Sequence, residues 1–219
     1  MKSGESASAP THTPDCIRAT APAPPLTRVA TRNTSSPILL GAFAQTTGST
    51  VQRDVNQEKR IEQGLQDGKI TTREAAILER DESKVDRLQA QSLKDGKLSP
   101  QERARLNAAQ SKASRDINTA EHNGVNGNPL SASSQRAQAD VQRNINQETR
   151  IEQGVKNGSL TNHEVAKLER GQAKVDKREY VAARDGHIGA KEQAKVQRAE
   201  NRQSKRIHHE KTDAQERKG

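Results

Sequence analysis

The chain has 219 residues, of which 29% are hydrophobic and 1% aromatic, and 37 Lys and Arg against 28 Asp and Glu give a net charge of +9. One Phe, one Tyr and no Trp exclude an aromatic-anchored core and the stacking platform of single-strand nucleic-acid binders. A single cysteine, Cys16, excludes internal disulfides and cysteine-based zinc sites, and no apolar run is long enough to span a membrane.

Residues 1–50 are rich in Ala, Pro, Ser and Thr without periodicity and are expected to be a disordered leader. The apolar run at 38–44 ends in Ala42-Phe43-Ala44, a small-residue pattern that reads as a signal region ending at Ala44, with the mature chain periplasmic or secreted; retention in the cytoplasm is the alternative.

From Val51 the sequence repeats itself. "VQRDVNQEKRIEQGLQDGKITTREAAILERDESKVD" aligns without gaps on "VQRNINQETRIEQGVKNGSLTNHEVAKLERGQAKVD", Val51 over Val141. Two homologous units follow, a first at 51–122 and a second at 139–219, joined by a linker at 123–138. Each unit predicts three helices, at about 50–66, 72–94 and 100–120 in the first copy. Val51, Val55, Ile61 and Leu65 form the first apolar stripe; Ala75, Leu78 and Val85 the second; Leu106, Ala109, Ala113 and Ile117 the third. Val141, Ile145, Ile151, Val155, Val165, Leu168, Val175, Val196, Ala199 and Ile207 are their counterparts, with Tyr180 the largest piece of the second core. No segment alternates as a strand does, so the fold is all-α, a helical bundle or coiled coil.

Four junctions of related sequence separate the helices: "QDGKITTRE", "KDGKLSPQE", "KNGSLTNHE" and "RDGHIGAKE". As punctuation, Gly68, Gly96, Gly158 and Gly186 end one helix in the left-handed conformation. Thr71, Ser99 and Thr161 cap the next, and Glu74, Glu102 and Glu164 complete capping boxes. The last junction has Gly189 where a hydroxyl is wanted, so its cap is the weakest.

The same junctions resemble the second half of an EF-hand loop, which implies a helix-loop-helix arrangement and calcium as the ligand. On that resemblance the ligands are Asp67 and Glu74, Asp95 and Glu102, Asn157 and Glu164, and Asp185 and Glu192. The front of each loop departs from the pattern: Gln63, Gln91, Gln153 and Val181 replace its first acidic ligand, and Leu65, Leu93, Val155 and Ala183 its second. Calcium takes six to eight oxygens, so capping is the preferred explanation and no metal site is assigned. The longer motif "RIEQG-x-x-x-G-x-[IL]-T-x-x-E" also resembles a repeat of exported proteobacterial proteins of uncharacterised activity, which implies export but no catalytic residues.

The excess positive charge lies mainly in the second half, densely in "KVQRAENRQSKRIHHEK". It is a mixed solvated face that could hold a weak anionic partner, nucleic acid or membrane, by phosphate contacts alone. No nucleophile elbow, phosphate-binding glycine loop or H-E-x-x-H occurs, and the adjacent His208 and His209 do not share a metal. The abundant carboxylates recur at helical spacing beside basic residues and are read as surface ion pairs. These features predict a non-enzymatic helical interaction or structural protein with a protein partner, an EF-hand-type calcium binder being the alternative.

Overall fold

The computed structural model describes residues 46–213, and every regular element in them is an α-helix. The helices are α1 (Thr47–Gln66), α2 (Thr72–Ser92), α3 (Pro100–His122), α4 (Ala132–Lys156), α5 (Asn162–Ala183) and α6 (Ala190–Thr212). The leader through residue 45, with Cys16 and the Ala42–Ala44 motif, lies outside the described residues. Thr46 caps α1, its hydroxyl accepting from the Ser49 amide, so the helical body begins four residues before the predicted boundary. α4 likewise starts inside the predicted linker. Ser131 caps it, and Ser133, Ser134 and Ala137 are already buried on it, which shortens the connection to 123–131.

Local sequence explains the helix ends. Gly68 adopts φ 72°, and Gly96, Gly158 and Gly186 adopt 80°, 79° and 87°, a region that side chains with a Cβ avoid. Thr71 accepts from the Glu74 amide at 3.1 Å while the Glu74 carboxylate accepts from the Thr71 amide at 2.9 Å, closing the expected capping box. Ser99 with Glu102, and Thr161 with Glu164, do the same. At Gly189 only the return bond from its amide to Glu192 is made, at 2.8 Å. Gly64 lies within α1, so it marks no early helix end. A Cβ on it would overlap the Ile70 side chain, which folds back over the helix while its amide donates to the Gly64 carbonyl at 2.9 Å.

The two repeats do not keep separate cores. The most extensive packing runs between copies, α2 along α5 and α1 along α4, with α3 laid on α1 and α2, and α6 on α4 and α5. Small residues a heptad apart, Ala76, Ser83 and Ala90 on α2 with Ala166 and Ala173 on α5, are all buried. They let the backbones approach until the Ser83 hydroxyl donates to the Ala173 carbonyl at 2.8 Å. Each apolar cluster mixes the copies. One joins Ile61, Leu65, Ile70 and Leu78 to Val141, Ile145 and Ile188; the other joins Val51 and Leu93 to Ile151, Leu160, Val165 and Ile207. The two homologous units therefore pack on each other as one interleaved body. Tyr180 is only partly buried and packs against the first of these clusters, with the Arg80 guanidinium 5.4 Å from its ring centroid. Ala109 is half-buried, its place in the third stripe taken by the fully buried Gln110.

Candidate metal centre

Along all four central helices the apolar stripe is interrupted at its middle by acids. On α1, Asp54 and Glu58 separate Val51 from Ile61; on α4, Asn144 and Glu148 separate Val141 from Ile151. α2 carries Glu79, Glu82, Asp86 and Gln89 at successive spacings of three, four and three, and α5 carries Glu169, Gln172, Asp176 and Glu179 in the same register. That spacing keeps each set on one helix face, and each of these side chains is buried. A carboxylate layer thus sits between the two apolar clusters.

The layer has two centres related by the repeat. Carboxylate oxygens of Asp54, Asp86 and Glu169 lie within 4.8 Å of one another, and so do those of Glu79, Asp176 and Glu179. Glu148 bears on the first centre, repelling Asp54, Asp86 and Glu169, and Glu58 bears on Glu79 and Glu179 in the second. Each centre therefore draws on α1, α2, α4 and α5. Asn144 donates to Glu179 at 2.8 Å and to Glu79 at 3.4 Å. Asp86 and Asp176, equivalent in the two copies, touch and link the centres.

Nine buried carboxylates are involved: Asp54, Glu58, Glu79, Glu82, Asp86, Glu148, Glu169, Asp176 and Glu179. None has a Lys, Arg or His in an ion pair among the described residues. The surface ion pairs expected from the sequence are therefore not where these acids go. Both carboxylate oxygens of Glu148 and both of Glu169 lack a hydrogen-bond donor, as do single oxygens of Asp54, Glu58, Glu79, Glu82, Asp176 and Glu179. Gln89, fully buried, lies beside Asp54 and Glu169, yet neither of its polar atoms reaches a hydrogen-bonding partner.

Burial dominates the electrostatics. Desolvation raises Asp54 from the usual 3.8 to about 7, against the opposing hydrogen bond from Gln110, which donates to its Oδ1 at 2.6 Å. Desolvation likewise raises Glu79 to about 7, partly offset by bonds from Glu179 and Asn144. Glu58, Glu82, Asp86, Glu148, Glu169, Asp176 and Glu179 are pushed well above the usual range by burial and then by one another. An uncompensated buried carboxylate is costly, so such a layer holds protons or cations. Its donors are all oxygen, the set that suits hard ions such as calcium, magnesium or manganese and not soft ones.

The four junctions do not gather their own paired residues. Among the described residues of the junctions only Glu164 meets other acids, its carboxylate lying within 4.8 Å of Glu210 and Asp213 at the end of α6, a group less buried than the two core centres. Glu74, Glu102, Glu164 and Glu192 turn back to their own caps, and Glu74 also accepts from Asn123. Asp95, Asn157 and Asp185 accept from the backbone amide two residues on, while Asp67 accepts from Gln63 and pairs with Lys69. At each junction both residues make local bonds, and Oε1 of Glu164 is left without a donor. The central acids carried a sequence signal nonetheless. Glu58 and Glu148, Glu79 and Glu169, and Asp86 and Asp176 recur between copies on the buried stripe, where a solvated face would be free to vary.

Outside the core, Lys191, Lys195, Arg198, Arg202, Lys205 and Arg206 are exposed along one face of α6. No described helix is long and apolar enough to cross a membrane. Comparison with family profiles, with curated proteins and with solved structures found no match.

Proposed function

We propose that this chain is a non-enzymatic helical protein that binds hard cations inside its bundle. The observation that carries the proposal is the convergence of nine buried, unpaired carboxylates from four helices, two of them with both oxygens undonated. A cation replaces the protons that would otherwise be needed at neutral pH, so binding and folding are coupled. An opening beside the second centre, a hollow of 10 Å³ lined by Glu79 and Glu179 among others, has room for an ion or a water and none for an organic substrate.

Calorimetric titration of the chelator-stripped full chain with calcium and with manganese tests the proposal. Saturable binding with proton release, lost when Glu169 and Glu179 are both changed to Gln and kept in Glu74→Gln, supports the core; the reverse pattern points to the junctions, and no binding refutes both. The proposed location is extracytoplasmic, with processing after Ala44. The helical body's first cap, Thr46, stands two residues beyond that point, and the mass of the mature N-terminus tests it. The exposed basic face of α6 supports a second, weaker role on anionic surfaces, which steep salt dependence of vesicle or DNA binding would reveal.

A further inference from the structure

The repeat makes the two centres comparable position by position, and they are not equal. Asp54 in the first centre corresponds to Asn144 in the second, which costs the second one charge. Elsewhere the exchange runs the other way. Gln89 corresponds to Glu179, and Gln172, beside Glu148, corresponds to Glu82, beside Glu58. Further out, Thr50 and Gln110 correspond to Asp140 and Glu200, both of which bear on Glu179. Arg143 ion-pairs with Glu200 and offsets part of that field. Glu82 repels Asp54 and Glu148 of the first centre as well as Glu58 and Glu79 of the second and is shared between them. The second centre's surplus is therefore Asp140 and Glu200, beside Glu58, Glu79, Asp176 and Glu179.

Two further features favour the second centre. The 10 Å³ hollow touches Glu79, Glu179 and Asp140 among mostly apolar neighbours, so space for an ion borders this centre. Asn144, 1% exposed, directs its amide at both Glu79 and Glu179 while its own Oδ1 has no partner, so a flip of the side-chain amide turns a neutral oxygen toward an ion at no cost in lost acceptor bonds.

We propose that the centres fill in order: the Glu79–Asp176–Glu179 centre takes the first hard cation and favours a trivalent over a divalent ion more strongly than the Asp54–Asp86–Glu169 centre does. The proposal rests on the cation-binding function above. Each added carboxylate strengthens attraction in proportion to the ion's charge, so the centre with Asp140 and Glu200 beside it discriminates by charge more than its counterpart.

The test uses the full chain, stripped by chelator and titrated with calcium and with terbium, by calorimetry and by tyrosine-sensitised terbium emission. Tyr180, the only tyrosine, adjoins Glu179 in the chain and is the sensitiser. Wild type is expected to bind in two resolved steps, with most emission arising in the first. Glu179→Gln, which installs the first centre's residue, weakens the first step by at least roughly tenfold, more for terbium than for calcium, and spares the second. Gln89→Glu, the converse exchange, strengthens the weaker step and narrows the gap. Equal affinities, or a Glu179→Gln effect confined to the weaker step, would overturn the ordering while leaving cation binding intact. Equal weakening for both ions would overturn the charge selectivity. A complete absence of binding in folded wild type would overturn the cation-binding function and the ordering together.

Discussion

Asp54→Asn separates the cost of the carboxylate layer from its use. Asp54 is 3% exposed, and its carboxyl stands at about 7 in place of 3.8 because burial penalises the charged form. The folded state therefore holds the proton more tightly than the unfolded state. The stability this lends is fully present below about pH 4 and is lost as pH rises through about 7. The full displacement corresponds to about 4 kcal/mol once the group is charged in both states, an upper bound because neighbouring carboxylates exchange protons with it. Asparagine keeps the acceptor that Gln110 needs at 2.6 Å, and its amide can donate to the neighbouring acids as Asn144 does in the other copy. Urea unfolding followed by circular dichroism, with chelator present, should find Asp54→Asn more stable than wild type at about pH 8, by up to about 4 kcal/mol. The difference should shrink toward zero near pH 4. With calcium at about 100 times its dissociation constant, wild type gains about 2.7 kcal/mol per filled site and the variant less. A variant that is destabilised by the same amount at both pH values, with and without chelator, would show Asp54 to be an ordinary structural residue.

Three other perturbations probe the scaffold. Gly64→Ala places a Cβ against Ile70 and should cost about 1–3 kcal/mol in urea unfolding; Ile70→Ala in the same chain should show favourable coupling in a double-mutant cycle. Thr71→Ala removes the acceptor for the Glu74 amide and should lower stability by roughly 0.5–2 kcal/mol without changing cation affinity. Fragments 46–124 and 132–213, expressed separately, should each show little helix by circular dichroism and regain it on mixing, because both apolar clusters span the copies; two fragments that fold alone would contradict the interleaved packing.

Helix existence, order and most of the apolar core were legible in the sequence. Period and capping chemistry are local, and Val51, Leu78, Leu106 and Ile207 each declare a buried stripe without reference to another helix. The pairing of helices was not legible, since short junctions suit either self-contained units or exchange between copies. What decides it is the surface of α2 and α5, where Ala76, Ser83, Ala90, Ala166 and Ala173 permit close approach. The centre itself was misread as ion pairing for a physical reason. Arg80 and Arg87 lie next to Glu79 and Asp86 in sequence and Lys84 two residues from Glu82, but residues one or two apart on a helix point about 100° or more apart. Exposed Lys84 pairs with Asp81 and leaves the buried acids to one another. Three acids recurring between copies on the apolar stripe were the available clue.

Anomalous diffraction from crystals of the full chain grown with manganese addresses the central claim most directly. Peaks enclosed by Asp54, Asp86 and Glu169 and by Glu79, Asp176 and Glu179, with carboxylate oxygens at bonding distance, are the predicted result. Peaks at the Asp67–Glu74 type junctions, or a carboxylate layer that stays free of metal at saturating manganese, would contradict it.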